Sequence, residues 1–317
     1  MDKYTLSSSP HVRSADTTGR IMLDVIIALL PAAVLGVVFF GWNALWVVLV
    51  STAAAVATEA ALQLLMKKKV TIMDGSAAVT GLLLALNLPP SVPLYIPVVG
   101  SVFAIAIVKQ CFGGIGGNFL NPALAARAFL MLSWPTVMTS WTMPADAVST
   151  ATPLAAINEA GAGALSPYLD MFLGNVGGCI GETSALALLI GGLYLVARRV
   201  IDPSIPVVYI ATVGLFTWVA GPEGLFTGDG LYHMLAGGLM LGAIYMATDY
   251  TTSPMTVKGR IIFALGCGVV TCVIRLWGGY PEGVSYSILL MNLFVPLIDR
   301  AVKPRMFGSV ALKEAEK

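Results

Sequence analysis

Long apolar segments recur from one end of this chain to the other, and they constrain its fold more than any other feature. Of the 317 residues, 57% are hydrophobic and only 11% are charged, whereas a soluble globular protein carries about a quarter charged residues. Runs of about twenty apolar residues are long enough to cross a bilayer as helices. The pattern predicts an all-α polytopic membrane protein.

The apolar runs divide the chain into a membrane domain over 21–301 and two polar tails over 1–20 and 302–317. Within the domain, hydropathy predicts about ten transmembrane helices, at 21–41, 43–66, 71–88, 93–110, 119–134, 172–197, 204–220, 231–248, 260–277 and 284–301. The formal net charge is +1, and without a basic tract we expect no nucleic-acid partner.

Lys and Arg residues orient these spans, because cytoplasmic loops carry the excess of positive charge. The basic residues lie before the first span, after the second, fourth, sixth and tenth spans, and between the eighth and ninth. The opposite loops, at 42, 89–92, 135–171, 221–230 and 278–283, contain neither Lys nor Arg. Both termini are therefore expected in the cytoplasm and the long loop 135–171 outside it. Arg127 and Arg275 are the two exceptions.

The two halves of the membrane domain contain similar sequence segments. "DGSAAVTGLLLA" (74–85) is similar to "DGLYHMLAGGLMLG" (229–242), and "KQCFGGIGG" (109–117) is similar to "RLWGGYPEG" (275–283). Two five-helix repeats, over 21–134 and 172–301, must run in opposite directions across the membrane because five is odd. Such inverted repeats form binding sites where helices break near the midplane.

Two polar stretches on the cytoplasmic side are candidates for a ligand site. In "FGGIGGNFLNPALAARAF" (112–129), Asn121 and the following proline are typical of a helix start, and Asn118 and Arg127 are costly in lipid without a function. In "MATDYTTSP" (246–254), Asp249 lies on the same side. Together they could hydrogen-bond a heterocycle, although a tight turn and two helix caps would explain the same residues.

Three acidic residues fall within predicted spans and are candidates for an ion pathway. Asp24 and Glu59 lie near the cytoplasmic interface, where solvation alone could explain them, whereas Glu182 lies about ten residues into the sixth span. Intramembrane carboxylates often carry protons or sodium. The four cysteines lack metal-ligand spacing, so we expect small apolar residues in helices and no metal site.

The loop 135–171 contains "DAVSTATPLAAI" (146–157). Thr152 followed by Pro153 is typical of an N-cap and the first helical residue. Free amides and the helix dipole at such a position favour a phosphate, including one esterified to the threonine hydroxyl. A plain capping threonine is the alternative.

Ser149, Ala151 and Thr152 resemble the S-G-A-T type motif on which a flavin transferase esterifies FMN to the last threonine, with Thr150 here in place of the usual glycine. The chain as a whole resembles the membrane-subunit family that contains RnfD of ferredoxin:NAD oxidoreductases and NqrB of sodium-pumping quinone reductases. The similar stretches are 7–32, 116–130, 146–155, 245–254 and 280–300, and the short N-terminal tail is similar to the RnfD branch.

This resemblance implies a bacterial inner-membrane subunit with covalent FMN on Thr152 and a non-covalent flavin, riboflavin, near Asn118, Asn121 and Asp249. It implies that electrons pass from outside to inside within an ion-pumping complex. The implied partners are the flavin-carrying RnfG, the membrane proteins RnfA and RnfE, the NAD-binding RnfC, the iron–sulfur protein RnfB and the flavin transferase. Three alternatives stay open: a channel or transporter of the urea- or ammonium-channel type, an NqrB-like subunit of a sodium-pumping quinone reductase, and a scaffold for redox partners.

Overall fold

The computed structural model describes residues 16–142, 152–154, 166–221, 224–278 and 282–304, and these residues are mainly helical. Their helices are α1 Thr18–Phe40, α2 Trp42–Leu65, α3 Ser76–Leu86, α4 Tyr95–Val102, α5 Pro122–Ser133, α6 Pro135–Met138, α7 Tyr168–Leu173, α8 Ala185–Ala197, α9 Ser204–Val219, α10 Gly230–Leu235, α11 Leu239–Leu241, α12 Val257–Trp277 and α13 Val284–Ala301. A 3₁₀ turn covers Ile72–Asp74, and π-helical segments, Phe103–Gln110 and Gly242–Met246, continue α4 and α11. Two short strands, β1 Ala220–Gly221 and β2 Gly224–Leu225, pair antiparallel.

Among the described residues, four helices are long and apolar enough to cross a membrane, namely α1, α2, α12 and α13. Five shorter apolar helices of 10–17 residues accompany them, including α3, α5, α8 and α9. Large apolar side chains point outward on these helices, as Val38 and Leu193 do at 69% and 68% exposure. Exposed aliphatic surface of this extent marks a protein surrounded by lipid. The prediction of a helical polytopic membrane protein is confirmed.

Capping residues set the starts of several helices. The side chain of Thr17 accepts a hydrogen bond from the amide of Arg20 at the start of α1, and Ser184 caps α8 in the same way. The Asn121 carboxamide oxygen accepts from the amides of Ala123 and Leu124, at 3.1 and 3.3 Å. The predicted helix start at Asn121 is therefore confirmed, with proline at the first helical position.

Two of the predicted spans are broken rather than continuous. The segment 172–197, predicted as one helix, consists of the end of α7, a non-helical stretch over 174–184, and α8. The segment 231–248 is interrupted after α10, where Ala236 is extended and Gly237 has a φ of 69°. Both predictions of a continuous helix were wrong, because hydropathy alone does not register a glycine-rich break inside an apolar run.

The broken segments satisfy part of their backbone by pairing with other breaks. The amides of Ile180 and Gly181 donate to the carbonyls of Leu88 and Leu86, at 3.0 and 2.8 Å, at the C-terminal end of α3. A Cβ at Gly181 would lie 2.5 Å from the Leu86 Cβ, so this approach requires glycine. Non-helical backbone is tolerated at membrane depth only where protein or water supplies its hydrogen bonds. These contacts hold the C-terminal end of α3 against the segment that precedes α8, in the interior of the protein.

Gly81 provides a test of the close packing between α2 and α3. A Cβ at this position would lie 2.7 Å from the Thr52 Cα and 2.9 Å from the Ser51 carbonyl oxygen. We expect Gly81→Ala to lower the free energy of unfolding by about 1–3 kcal/mol, because overpacking forces the two backbones apart. Thermal unfolding of the detergent-purified chain, followed by tryptophan fluorescence, measures the loss.

Gly19→Ala is the matched control. A Cβ on Gly19 would come no closer than 3.5 Å to another atom, so this variant should unfold at the parent temperature or slightly above it. Equal unfolding temperatures for the two variants would contradict the close contact between α2 and α3.

Candidate functional site

A cavity of about 310 Å³ lies at the N-terminus of α5, a volume within the usual range for small-molecule sites. We call it the Asn121 cavity. Its walls are partly apolar, with Ile21, Met22 and Leu83 among the lining residues. Its polar lining residues include Ser76, Thr80, Lys109, Asn118, Asn121, Thr248, Asp249 and Thr251. Apolar walls with a few convergent polar groups are typical of a binding site for a flat, partly polar ligand.

The two polar stretches singled out in the sequence meet at this cavity. The Asn118 carboxamide donates to the Thr251 hydroxyl at 3.0 Å, and the Asn121 carboxamide donates to the Met246 carbonyl at 3.2 Å. Asp249 accepts from the Thr251 hydroxyl at 2.9 Å and from the Thr252 hydroxyl at 3.2 Å. Residues 118–121 and 246–252 therefore form one hydrogen-bonded wall.

Asp249 follows the π-helical segment Gly242–Met246 and is held by its own turn. Burial raises the pKa of its carboxyl group, and hydrogen bonds from Thr251 and Thr252 oppose that rise. A carboxyl group in this setting can accept a hydrogen bond from an N–H of a ligand when ionised, or donate one when protonated.

Lys109 lines the same cavity and was interpreted in the sequence only as a topology signal. Its side chain is buried, and its ammonium group lies 2.8 Å from the Glu59 carboxylate and 2.6 Å from the Ser76 hydroxyl. Glu59 is only 1% exposed and also accepts from the Gln110 carboxamide at 2.9 Å. Solvation does not explain Glu59, because its partners are buried side chains.

Arg127 belongs to a second polar centre, which we call the Arg127 cluster. Its guanidinium donates to the Glu182 carboxylate at 2.8 Å, to the Glu282 carboxylate and to the Asn87 carboxamide oxygen at 2.6 Å. Sequence reasoning grouped Arg127 with Asn118 and Asn121, but Arg127 is not among the described residues that line the Asn121 cavity. Its side chain points instead to the broken segments before α8 and α13.

Ligand-type atoms of Cys179, Glu182 and Glu282 lie within 4.8 Å of one another, a spacing that could suit a metal ion. The Arg127 guanidinium already contacts all three, with the Cys179 sulfur 3.6 Å from Nη2. This cluster therefore contains its own cation, and electrostatics accounts for the grouping of the two carboxylates.

The two arginines that break the charge asymmetry both have interior partners. Arg275 is buried and donates to the carbonyls of His233 at 2.6 Å and Ala236 at 3.2 Å, at the broken end of α10. It also donates to the Glu282 carbonyl at 3.2 Å. These contacts explain how the positive charges of Arg127 and Arg275 are accommodated in the protein interior.

The remaining acidic candidate, Asp24, lies on α1. Its carboxylate accepts from the Tyr194 hydroxyl at 2.9 Å and lies 3.3 Å from the guanidinium of Arg198, whose side chain is 44% exposed. A pair this close to solvent contributes little to stability. Asp24 itself is only 8% exposed, so it is a buried carboxylate beside a partner that reaches solvent.

Thr152 lines a small pocket beside the Arg127 cluster, together with Glu182 and Glu282. Thr152 is 5% exposed, and residues 153–154 after it are helical, as the sequence predicts. The pocket measures about 20 Å³, which is close to the space that a single water needs. The candidates Ser149 and Ala151 lie outside the described residues.

These features define a class: a helical membrane protein whose helices break around two buried polar centres, one of them with a ligand-sized cavity. The sequence model of the NQR2, RnfD, RnfE family matches residues 5–308, and the chain belongs to that family.

Curated relatives support the RnfD branch. The chain is 56% identical to the D subunit of the Na⁺-translocating ferredoxin:NAD⁺ oxidoreductase complex of Acetobacterium woodii, over 99% of this chain and 98% of the relative. It is 52% identical to the proton-translocating counterpart of Clostridium ljungdahlii, over 96% of each. It is 44% identical to the D subunit of an ion-translocating oxidoreductase complex of Stutzerimonas stutzeri, over 91% and 92%. The RnfD resemblance and the expected role as a subunit of an ion-translocating oxidoreductase are confirmed.

Removing the Arg127 guanidinium tests whether it organises its cluster. We expect Arg127→Met to destabilise the folded chain by about 3–5 kcal/mol, because two buried carboxylates lose their cation. Arg198→Met removes a half-exposed arginine and should cost less than about 1 kcal/mol. Thermal unfolding in detergent compares the two variants, and similar losses would contradict the central role of Arg127.

Proposed function

We propose that this chain relays electrons across the bacterial inner membrane, within an ion-translocating ferredoxin:NAD oxidoreductase complex, between covalent FMN on Thr152 and a second, non-covalent flavin. The observation that carries the proposal is the position of both polar centres on α5. Asn121 caps this helix and Arg127 follows six residues later, a rise of roughly 9 Å. Broken helices therefore bring two candidate cofactor regions close together inside the membrane domain.

The Asn121 cavity suits a flavin such as riboflavin. Its apolar residues offer a surface for a flat ring system, and Asn118, Asp249 and Lys109 offer donors and acceptors for the polar edge. A bound flavin supplies electron exchange in single steps, and the protein supplies orientation and electrostatics.

Thr152 is the proposed attachment residue because it matches the last threonine of the family's motif. Its own pocket is too small for a flavin ring, so the ring has to lie outward of residues 152–154. The same pocket contains Glu182 and Glu282, which connects the attachment residue to the Arg127 cluster. Transfer of FMN onto a threonine that is 5% exposed requires this segment to open toward the transferase.

The proposed topology has about ten spans in two inverted repeats, with both termini in the cytoplasm and the loop 135–171 outside. Support comes from the distribution of basic residues, whose two exceptions, Arg127 and Arg275, have interior partners. On this orientation the Asn121 cavity faces the cytoplasm and Thr152 faces the opposite side, where a flavin transferase can act.

The proposed partners are the other proteins of such a complex: the flavin-carrying RnfG, the membrane proteins RnfA and RnfE, the NAD-binding RnfC and the iron–sulfur protein RnfB. Support comes from the relatives, each of which is named as the D subunit of an oxidoreductase complex. Ion coupling is proposed to involve Glu182, whose buried carboxylate lies between the two regions, with Glu59 and Asp24 as weaker candidates.

Covalent attachment can be tested in a denaturing gel. We expect the chain, co-expressed with a flavin transferase, to give a fluorescent band in SDS, because an ester survives unfolding. Thr152→Ala should lose this fluorescence and Thr150→Ala, its matched neighbour, should keep it. A parent chain without fluorescence would favour the alternatives of a channel or a scaffold.

Non-covalent flavin can be tested by its release from the purified chain on denaturation. We expect Asn118→Ala to weaken flavin binding about fivefold, since one hydrogen bond contributes about 1 kcal/mol. Asn175→Ala, at an exposed site away from the cavity, is the matched control. If Asn118→Ala and Asn175→Ala both contain as much flavin as the parent chain, the Asn121 cavity is not the flavin site.

A further inference from the structure

A buried ion pair forms part of the wall of the Asn121 cavity. Lys109 is 3% exposed and Glu59 1% exposed, and both Lys109 and Ser76 line the cavity. An ammonium group has three N–H donors. Two of them are directed to Glu59 at 2.8 Å and to Ser76 at 2.6 Å, which leaves one for a ligand in the cavity.

Hydrogen bonds continue from Lys109 toward the protein surface. The Ser76 hydroxyl, which accepts from Lys109, donates to the Asp74 carboxylate at 2.7 Å. Asp74 is partly exposed and follows Met73, whose side chain is 92% exposed. Asp74, Ser76 and Lys109 therefore form an unbroken chain of exchangeable protons from the surface to the cavity.

The buried Lys109–Glu59 pair adds little to the stability of the fold if its role is only structural. A buried ion pair is often no more stable than well-packed apolar residues of similar size. One Glu59 oxygen, Oε2, has no hydrogen-bond partner in the described part of the chain, although Gln110 and Gln63 contact the other oxygen. A buried carboxylate oxygen without a hydrogen bond lowers the stability of the fold. The charge of Glu59 is therefore better explained by a role at the cavity than by a role in stability.

Acidic groups face Lys109 from the elements that surround the cavity. Glu59 faces it from α2, Asp74 approaches through Ser76 at the start of α3, and Asp249 lies on another part of the cavity lining. Among the described residues that line the cavity, Lys109 is the only Lys or Arg. It is thus the cationic proton donor available to a ligand there.

We propose that Lys109 donates a proton to the flavin in the Asn121 cavity when an electron arrives there, and that Ser76 and Asp74 replace this proton from the cytoplasm. The inference rests on the proposed function, which places a flavin in this cavity and supplies the electron.

In this step the Lys109 N–H bond breaks and its proton moves to a ring heteroatom of the flavin, so that one electron and one proton enter together. The Asp74 carboxylate first takes a proton from water. That proton then passes through the Ser76 hydroxyl to the neutral Lys109 amine in one concerted shift, in which Ser76 gives its own proton to the amine as it receives the one from Asp74, and Asp74 returns to its carboxylate form. Glu59 positions Lys109 and stabilises its recharged form.

A fixed positive charge could instead attract the reduced ligand without giving up a proton. Lys109→Arg separates the two roles, because arginine keeps the charge but does not deprotonate in proteins. Ser76→Ala interrupts the path while leaving both members of the ion pair. Ser76→Thr restores a hydroxyl at the same position.

The experiment uses the full chain with Thr152→Ala as parent, so that covalent flavin does not contribute to the signal. Riboflavin content is measured first. The flavin is then reduced in a stopped-flow instrument with reduced methyl viologen, while a pH indicator follows proton uptake. Ser51→Ala, at a buried serine of α2 outside the cavity lining, and Lys68→Arg, at an exposed lysine, are the matched controls.

We expect the parent, Ser76→Thr and both controls to take up protons as fast as the flavin is reduced. Lys109→Arg and Ser76→Ala, compared per bound flavin, should take up protons at least tenfold more slowly. If the parent contains no flavin, the proposed function fails and the inference fails with it. If flavin is bound but proton uptake is absent in the parent or unchanged in both variants, only the inference is overturned. If Lys109→Arg loses its flavin, the comparison of Ser76→Ala with Ser76→Thr decides.

Discussion

The bonds of the Arg127 guanidinium hold together three non-helical segments among the described residues. Arg127 projects from α5 and contacts the Asn87 side chain after α3, Glu182 before α8 and Glu282 before α13. Three chain breaks therefore converge on one side chain. A single cation can do this because its five N–H donors form a rigid planar fork, and the partners it holds are two carboxylates and an amide.

This convergence allows polar backbone to lie within a membrane domain. Residues 174–184 are non-helical, and their amides would be costly in lipid unless protein groups accepted their hydrogen bonds. Leu86 and Leu88 supply two of the acceptors, and the Arg127 cluster fixes Glu182 in the same stretch. Asn121 lines the larger cavity, and Arg127, six residues later on α5, contacts Glu182, which lines the Thr152 pocket.

Sequence reasoning succeeded where the signal was local. Asn121 and Pro122 start a helix as predicted, and the polar stretches containing Asn118 and Asp249 meet. It was wrong about the continuous helices at 172–197 and 231–248 and about the grouping of Arg127 with the Asn121 cavity. It missed Lys109, Ser76 and Glu282. An acidic residue in a predicted loop without any Lys or Arg was a usable signal for Glu282, whereas Lys109 was counted among the basic residues that are expected on the cytoplasmic side.

Hydropathy and charge distribution by themselves determined that this chain is a helical membrane protein and on which side each loop is expected, because both properties depend on residues close together in the chain. The tertiary structure alone decided which charges meet. Arg127 and Glu282 are 155 residues apart, and Lys109 and Glu59 come from different helices. The partners of a buried charge depend on how helices pack and where they break, and neither is written in any single stretch of sequence.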